Sequence, residues 1–216
     1  MIADNVRAIF FDAVGTLIHP DPGAAAVYCE VGRRHGSKYD MEQIARRFKT
    51  EFQKEEDADR AGGLRTSEER ERRRWQSIVA AVLDDVADPE ACFEELYEHF
   101  SRPNAWQLEP EATRILEELS RRGFVLGMAS NYDRRLRSVV AGFPGLSRLQ
   151  HLVISSEVGW RKPAPEFFAA MCAATGLPAA NILYVGDDRA NDYQGAIAAG
   201  LQALLLDSKF HLTDLG

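Results

Sequence analysis

Five short apolar segments, separated for most of the chain by helical segments, constrain the fold more than any other feature of the sequence. Four of them lie in the second half. Three helices are predicted beside them, over 110–122, over 165–175 and from about Tyr193 to Ala199, and they end at Gly123, Gly176 and Gly200. Strands and helices in alternation predict an α/β fold, with a doubly wound, mostly parallel, Rossmann-like sheet. The predicted strands are residues 6–11, 124–129, 151–155, 182–185 and 203–206.

The interval between the first two predicted strands is too long for a single crossover helix. It shows helical periodicity and no convincing strand. We therefore predict a core domain of residues 1–15 and 104–216, and a helical domain of residues 16–103 inserted just after the first strand. The clearest helices of the inserted domain are predicted at 41–54, 68–83 and 90–100.

Composition excludes several classes of protein. The net charge of -7 and the isoelectric point near 5.3 argue against a nucleic-acid partner. The chain has no apolar run near the ~20 residues of a membrane span, and its start lacks a secretory signal, so we expect a cytoplasmic protein without a membrane partner. Its three cysteines form no CxxC pair, and neither a zinc site nor a disulfide framework is predicted. The oligomeric state stays open.

Polar side chains follow four of the five predicted strands, at the point where each strand ends. Because functional groups of an open parallel sheet gather at the carboxyl ends of its strands, we expect these side chains to converge. Each has a plain structural explanation when taken alone, such as a turn or a helix cap, but their joint occurrence at strand ends favours a functional site. They are Asp12, Ser130, Asn131, Arg161, Lys162, Asp187, Asp188 and Asp192.

Four motifs carry a resemblance to a known family. FDAVGTL, MASN, RKPAPEFF and YVGDDRANDYQGAIAAG resemble, in order, the four motifs of the haloacid dehalogenase superfamily, and the last is the most specific. The resemblance covers nearly the whole chain and implies that the inserted helices are a cap of the type placed after the first motif. DAVGT together with GDxxxxDYQGA is most similar to the branch that contains haloacid dehalogenase-like hydrolase domain-containing protein 3.

The resemblance implies a hydrolase that acts on a small-molecule substrate, a phosphate ester or anhydride, with Mg²⁺ as cofactor. Asp12 is then the nucleophile that forms a covalent aspartyl intermediate. Catalysis further involves Ser130 and Lys162, which together with Asn131 bind the phosphate. The metal ligands implied are oxygens of Asp12, the Val14 carbonyl, Asp187, Asp188 and Asp192.

Val14 departs from the family pattern, because phosphatases of the superfamily usually carry a general-acid Asp at this position. Three alternatives follow. The first is a phosphatase that either acts on substrates with good leaving groups or recruits a substitute acid such as His19 or Asp21. The second is a 2-haloacid dehalogenase, because a halide leaves without a proton. The third is a catalytically inactive ligand-binding protein. The acidic fourth motif, GDDRAND, favours the metal-dependent phosphatase.

Overall fold

The computed structural model describes residues 2–207 and 211–215. Its strands are β1 (Ala8–Phe11), β2 (Ile18–Pro20), β3 (Trp106–Leu108), β4 (Val125–Ser130), β5 (His151–Ile154), β6 (Ile182–Gly186) and β7 (Gln202–Leu205). Its α-helices are α1 (Ala24–Arg34), α2 (Met41–Ala61), α3 (Glu68–Val82), α4 (Pro89–His99), α5 (Ala112–Arg121), α6 (Arg135–Ala141), α7 (Ser155–Val158), α8 (Pro165–Thr175) and α9 (Gly195–Ala198). Short 3₁₀ turns lie at Pro103–Ala105, Pro144–Leu146, Ala179–Asn181 and Leu212–Leu215.

The main sheet has five parallel strands in the order β5-β4-β1-β6-β7. Successive side chains of a strand point to opposite faces, and β1 shows this directly. Ile9 and Phe11 pack in a cluster that includes α5, whereas Ala8 and Phe10 pack in a second cluster that includes α8. Helices therefore cover both faces, which confirms the predicted α/β class and all five predicted strands.

Helices α1 to α4 form a helical unit with an apolar cluster of its own. Three side chains cap its helices: Asp40 accepts from Gln43 in a capping box, and Ser67 and Asp88 cap α3 and α4. The structure also places a strand in the predicted helical segment, because β2 pairs antiparallel with β3. The division of the chain into core and cap domains stays a prediction.

The helix predicted from about Tyr193 begins earlier than expected. The carboxylate of Asp188 accepts hydrogen bonds from the backbone of Ala190 and Asn191, so the helical path starts with a π-helical turn at Arg189–Gln194 and continues into α9. This cap brings Asp192 into the first helical turn, beside the end of β6. None of the helices in the described ranges is long and apolar enough to cross a membrane.

Candidate active site

A cavity of about 470 Å³ lies between the carboxyl edge of the main sheet and the helical unit. The strand ends of β1, β4 and β6 contribute Asp12, Ser130 and Asp187 to its floor, and α1 to α4 contribute most of its wall. Its size is that of a small-molecule site. The structure therefore brings the predicted strand-end residues together around one space.

Lys162 is the charged centre of the floor. Its ammonium donates hydrogen bonds to Asp12 Oδ1 at 2.7 Å, to Asp192 Oδ1 at 2.7 Å and to the Tyr184 hydroxyl at 2.9 Å. The Tyr184 hydroxyl in turn donates to the carbonyl oxygen of Ala129 at 2.6 Å. All three protons of the ammonium are thus directed to fixed acceptors, which holds the side chain in one orientation.

Burial and the neighbouring charges shift the pKa of the Lys162 ammonium in opposite directions. Lys162 is only 4% exposed, and burial disfavours its charged form, but the neighbouring carboxylates of Asp12 and Asp192 hold its pKa well above the ordinary value. Burial is also the largest influence on Asp192 and raises its pKa, although the charge of Lys162 opposes this. Lys162 is accordingly a fixed cation in the ordinary range of pH.

Asp187 is the third carboxylate of the floor, and one of its oxygens lies within 4.8 Å of oxygens of Asp12 and Asp192. Its side chain is open to the cavity, and the Thr16 hydroxyl donates to its Oδ1 at 3.3 Å. Desolvation from the remaining sides raises the pKa of Asp187, and the charge of Asp192 adds to the effect. Gly15 (φ +93°) approaches this carboxylate so closely that a Cβ at position 15 would clash with it.

The remaining predicted residues divide into those that face the cavity and those with another role. Ser130 is buried on the cavity floor, and the Val14 side chain is half-buried in its lining. Asn131 holds the backbone of Lys162 at both ends, since its side chain accepts from the Lys162 amide at 2.7 Å and donates to the Lys162 carbonyl at 3.2 Å. Asp188 is exposed at the cavity edge, where its carboxylate caps the π-helical turn.

The donor set fits a hard divalent cation. Asp12, Asp187 and Asp192 each offer one oxygen, and these oxygens lie within 4.8 Å of one another. Lys162 contacts two of the three carboxylates and supplies a single positive charge, so an excess of negative charge remains at the floor. Carboxylate oxygens are the ligands that Mg²⁺ prefers in proteins.

A buried ion network joins the helical unit to the loop that carries Lys162. Arg161 contacts Glu71, Glu56 and Asp59, and Arg74 contacts Glu56 at 2.7 Å and Asp59 at 3.0 Å. Both guanidiniums are almost fully buried, and each is matched by carboxylates on α2 or α3. These pairs fix the helical unit above the cavity floor.

Two functional candidates, Thr16 and Tyr184, were not predicted from the sequence. Both contact predicted site residues: Tyr184 accepts from Lys162, and Thr16 donates to Asp187. Tyr28 belongs to the apolar cluster of the helical unit and Trp75 packs against it, and both side chains also line the cavity. Thr16 and Tyr184 lie inside the first and fourth motifs, so their positions were a usable signal. The proposed substitutes for the missing acid, His19 and Asp21, do not line the cavity, and His19 is paired with Glu109 at 3.0 Å.

Comparison with known proteins places these motifs in context. A family model described as "Hydrolase: haloacid dehalogenase-like hydrolase" matches residues 6–200. Human haloacid dehalogenase-like hydrolase domain-containing protein 3 is 27% identical over 208 residues, which cover 94% of this chain and 82% of the relative. A phosphoserine phosphatase of Thermus thermophilus is 34% identical over 134 residues, 61% of this chain and 54% of the relative.

Solved structures support the same fold. The magnesium-bound putative HAD-hydrolase YfnB from Bacillus subtilis superposes with a TM-score of 0.77 at 18% identity, covering 96% of this chain and 91% of that chain. L-2-haloacid dehalogenases superpose nearly as well, one from Xanthobacter autotrophicus with a TM-score of 0.71 at 18% identity over 94% of this chain and 80% of that chain. A HAD phosphatase from Thermococcus onnurineus superposes with a TM-score of 0.65 at 23% identity over 94% of this chain and 86% of that chain, so proteins named as phosphatases and as dehalogenases share this fold.

Proposed function

Because the chain belongs to the family of haloacid dehalogenase-like hydrolases, we propose that it is a Mg²⁺-dependent phosphatase with Asp12 as nucleophile. The helical unit is its cap, and its substrate is a small phosphate ester or anhydride. Membership of the family confirms the resemblance carried by the four motifs, including the similarity to haloacid dehalogenase-like hydrolase domain-containing protein 3.

The proposed reaction has two displacements at phosphorus. A carboxylate oxygen of Asp12 attacks, an Asp12–phosphorus bond forms, and the bond to the leaving oxygen breaks with its electron pair on that oxygen. Water then attacks phosphorus, releasing inorganic phosphate and a proton and regenerating the carboxylate. Lys162 and Ser130 lie beside Asp12 and supply a positive charge and a hydroxyl donor to the transferring oxygens.

The proposed metal ligands are the side chains of Asp12, Asp187 and Asp192 and the backbone carbonyl of Val14. A bound Mg²⁺ reduces the repulsion between an anionic nucleophile and an anionic phosphate. Asp188, proposed from the motif as a further ligand, is engaged as a helix cap and would act through Asp192, whose Oδ2 accepts from the Asp188 amide at 3.0 Å. Asn131 positions the Lys162 backbone.

The observation that carries the proposal is the cluster of three carboxylates with a single ammonium. A negatively charged floor is unfavourable for a phosphate unless a cation is added. The test is turnover of acetyl phosphate and p-nitrophenyl phosphate with Mg²⁺ and with EDTA. We expect activity that requires Mg²⁺ and is lost in Asp12→Asn. Activity that persists in EDTA or in the variant would refute the proposal, and inactivity on every substrate would favour a ligand-binding protein.

A 2-haloacid dehalogenase is the second candidate, favoured by Val14 and by the direct contact of Lys162 with Asp12. In that reaction Asp12 attacks carbon, halide departs with the bonding electrons, and water hydrolyses the resulting ester. No proton donor and no metal ion are required for halide departure. Incubation with 2-chloropropionate in EDTA, followed by a chloride assay, tests this candidate. Absence of chloride release removes it.

A further inference from the structure

The cavity above Asp12 has an apolar, aromatic wall. We refer to this space as the aromatic chamber, and its wall includes Tyr28, Phe48, Phe52, Trp75, Phe93 and Phe100. The rings are packed against one another: Phe48 and Phe52 are stacked at 5.9 Å between centroids, and Phe52 lies 6.2 Å from Trp75. Burying an apolar group against such a wall is favourable in proportion to the area removed from water.

The three buried guanidiniums that line the chamber are already paired with carboxylates of the protein. Arg74 and Arg161 are matched by carboxylates of the helical unit, and Arg135 is held by both oxygens of Asp133. Arg60, at the edge, donates to the Asn191 side chain at 3.0 Å. A carboxylate substituent placed among Arg74, Arg135 and Arg161 would therefore lose its water without gaining a free counter-charge.

The residues of the cavity floor restrict which leaving group the substrate can have. Val14 offers no proton to a leaving oxygen, and neither His19 nor Asp21 lines the chamber. Without a general acid the leaving group must depart as a stable anion, as a phenolate does and an alkoxide does not. An aromatic leaving group thus meets both requirements: it can depart without a proton donor, and it can pack against the aromatic wall.

We propose that the substrate is an aryl phosphate whose uncharged aromatic body occupies the aromatic chamber. This inference rests on the proposed phosphatase function and deepens it. The aryl oxygen leaves as the phenolate when Asp12 bonds to phosphorus, and the phenolate takes up a proton from water after release. The body is larger than one ring, because the chamber extends from Asp12 to Phe93 on α4.

Three aryl phosphates of similar leaving-group acidity test the wall separately from the chemistry: phenyl, 2-naphthyl and 4-carboxyphenyl phosphate. We expect kcat/KM for 2-naphthyl phosphate to exceed that for phenyl phosphate about tenfold, because the second ring buries further apolar area. The 4-carboxyphenyl ester should fall about tenfold below phenyl phosphate. Equal values for the three esters would overturn the inference.

Variants locate the effect in the chamber. Phe52→Ala removes a ring of the wall and should bring the ratio of kcat/KM for naphthyl over phenyl close to one. Met41→Ala, on the same helix but 57% exposed, is the matched control and should preserve the ratio. An unchanged ratio in a folded Phe52→Ala protein would place the preference elsewhere, and the wild-type series remains decisive if that variant does not fold.

A binding measurement separates failure of the inference from failure of the proposed function. Titration calorimetry compares 2-naphthylphosphonate with methylphosphonate, neither of which needs to be hydrolysed. If the naphthyl compound binds at least tenfold tighter but no ester is turned over, the proposed phosphatase function is refuted. The chamber's preference for aromatic ligands is then retained. Equal affinity, together with turnover of acetyl phosphate, would retain the phosphatase and refute the aryl substrate.

Discussion

Gly15 offers a direct test of the proposed metal site, because the chain contains a matched glycine elsewhere. Gly15 and Gly36 share the same backbone angle, φ +93°. An alanine at either position enters the left-handed region at a cost of about 1–2 kcal/mol. At Gly36 the added Cβ would have no atom within 4 Å, whereas at Gly15 it would meet the Asp187 carboxylate. Only Gly15→Ala therefore displaces a proposed ligand.

The expected magnitude follows from linkage. At a free Mg²⁺ concentration of 100 times its dissociation constant, binding stabilises the folded wild-type chain by about 2.7 kcal/mol. If displacement of Asp187 weakens affinity tenfold, the same concentration contributes about 1.4 kcal/mol. The added stability from Mg²⁺ should thus fall by roughly half in Gly15→Ala and remain whole in Gly36→Ala.

Urea unfolding in EDTA and in MgCl₂ measures both effects in one experiment. In EDTA each variant should lose about 1–2 kcal/mol from the free energy of unfolding, with any excess in Gly15→Ala reporting the clash. An equal Mg²⁺ increment in the two variants would refute the assignment of Asp187 as a ligand. A wild-type chain that Mg²⁺ does not stabilise would refute the metal site altogether.

Three further predictions concern the floor, the ion network and a buried thiol. Val14→Asp should raise kcat/KM for alkyl phosphates by about 10²-fold or more, and for aryl or acyl phosphates far less. Val14→Asn, which is of similar size but has no acidic proton, should leave kcat/KM unchanged for both substrate classes. Equal gains on both classes in Val14→Asp would contradict the missing-acid explanation. In urea titration, Glu71→Gln should lower the free energy of unfolding by about 3 kcal/mol, because it leaves Arg161 with less compensating charge. The control Glu69→Gln, which removes the charge of an exposed ion pair, should change the free energy of unfolding by less than about 0.5 kcal/mol. Burial raises the pKa of the Cys92 thiol to about 11, which lowers its thiolate fraction at pH 8 by about two orders of magnitude. Mass spectrometry should therefore show that iodoacetamide modifies Cys92 in urea and not in the folded chain.

Local sequence patterns determined the sheet and the position of its reactive edge. An apolar run between turn residues can bury both faces of a strand, and the residue that follows such a run must emerge at the carboxyl end of a parallel sheet. This is why Asp12, Ser130 and Asp187 could be placed at one edge from the sequence. The same reasoning located the helices that end at Gly123 and Gly176, since a left-handed glycine terminates a helix through its own backbone.

The tertiary structure alone decided how neighbouring side chains divide their roles. Asp187 and Asp188 are adjacent and chemically alike, yet one opens to the cavity and the other caps a helical turn, because the backbone path after β6 sets the direction of each side chain. Tyr28 and Trp75 present the same periodicity whether they face a closed core or a cavity wall. Which of the two they face depends on the spacing between the helical unit and the sheet. Long-range packing, such as the contacts of Arg161 with α2 and α3, sets that spacing, and no local pattern encodes it.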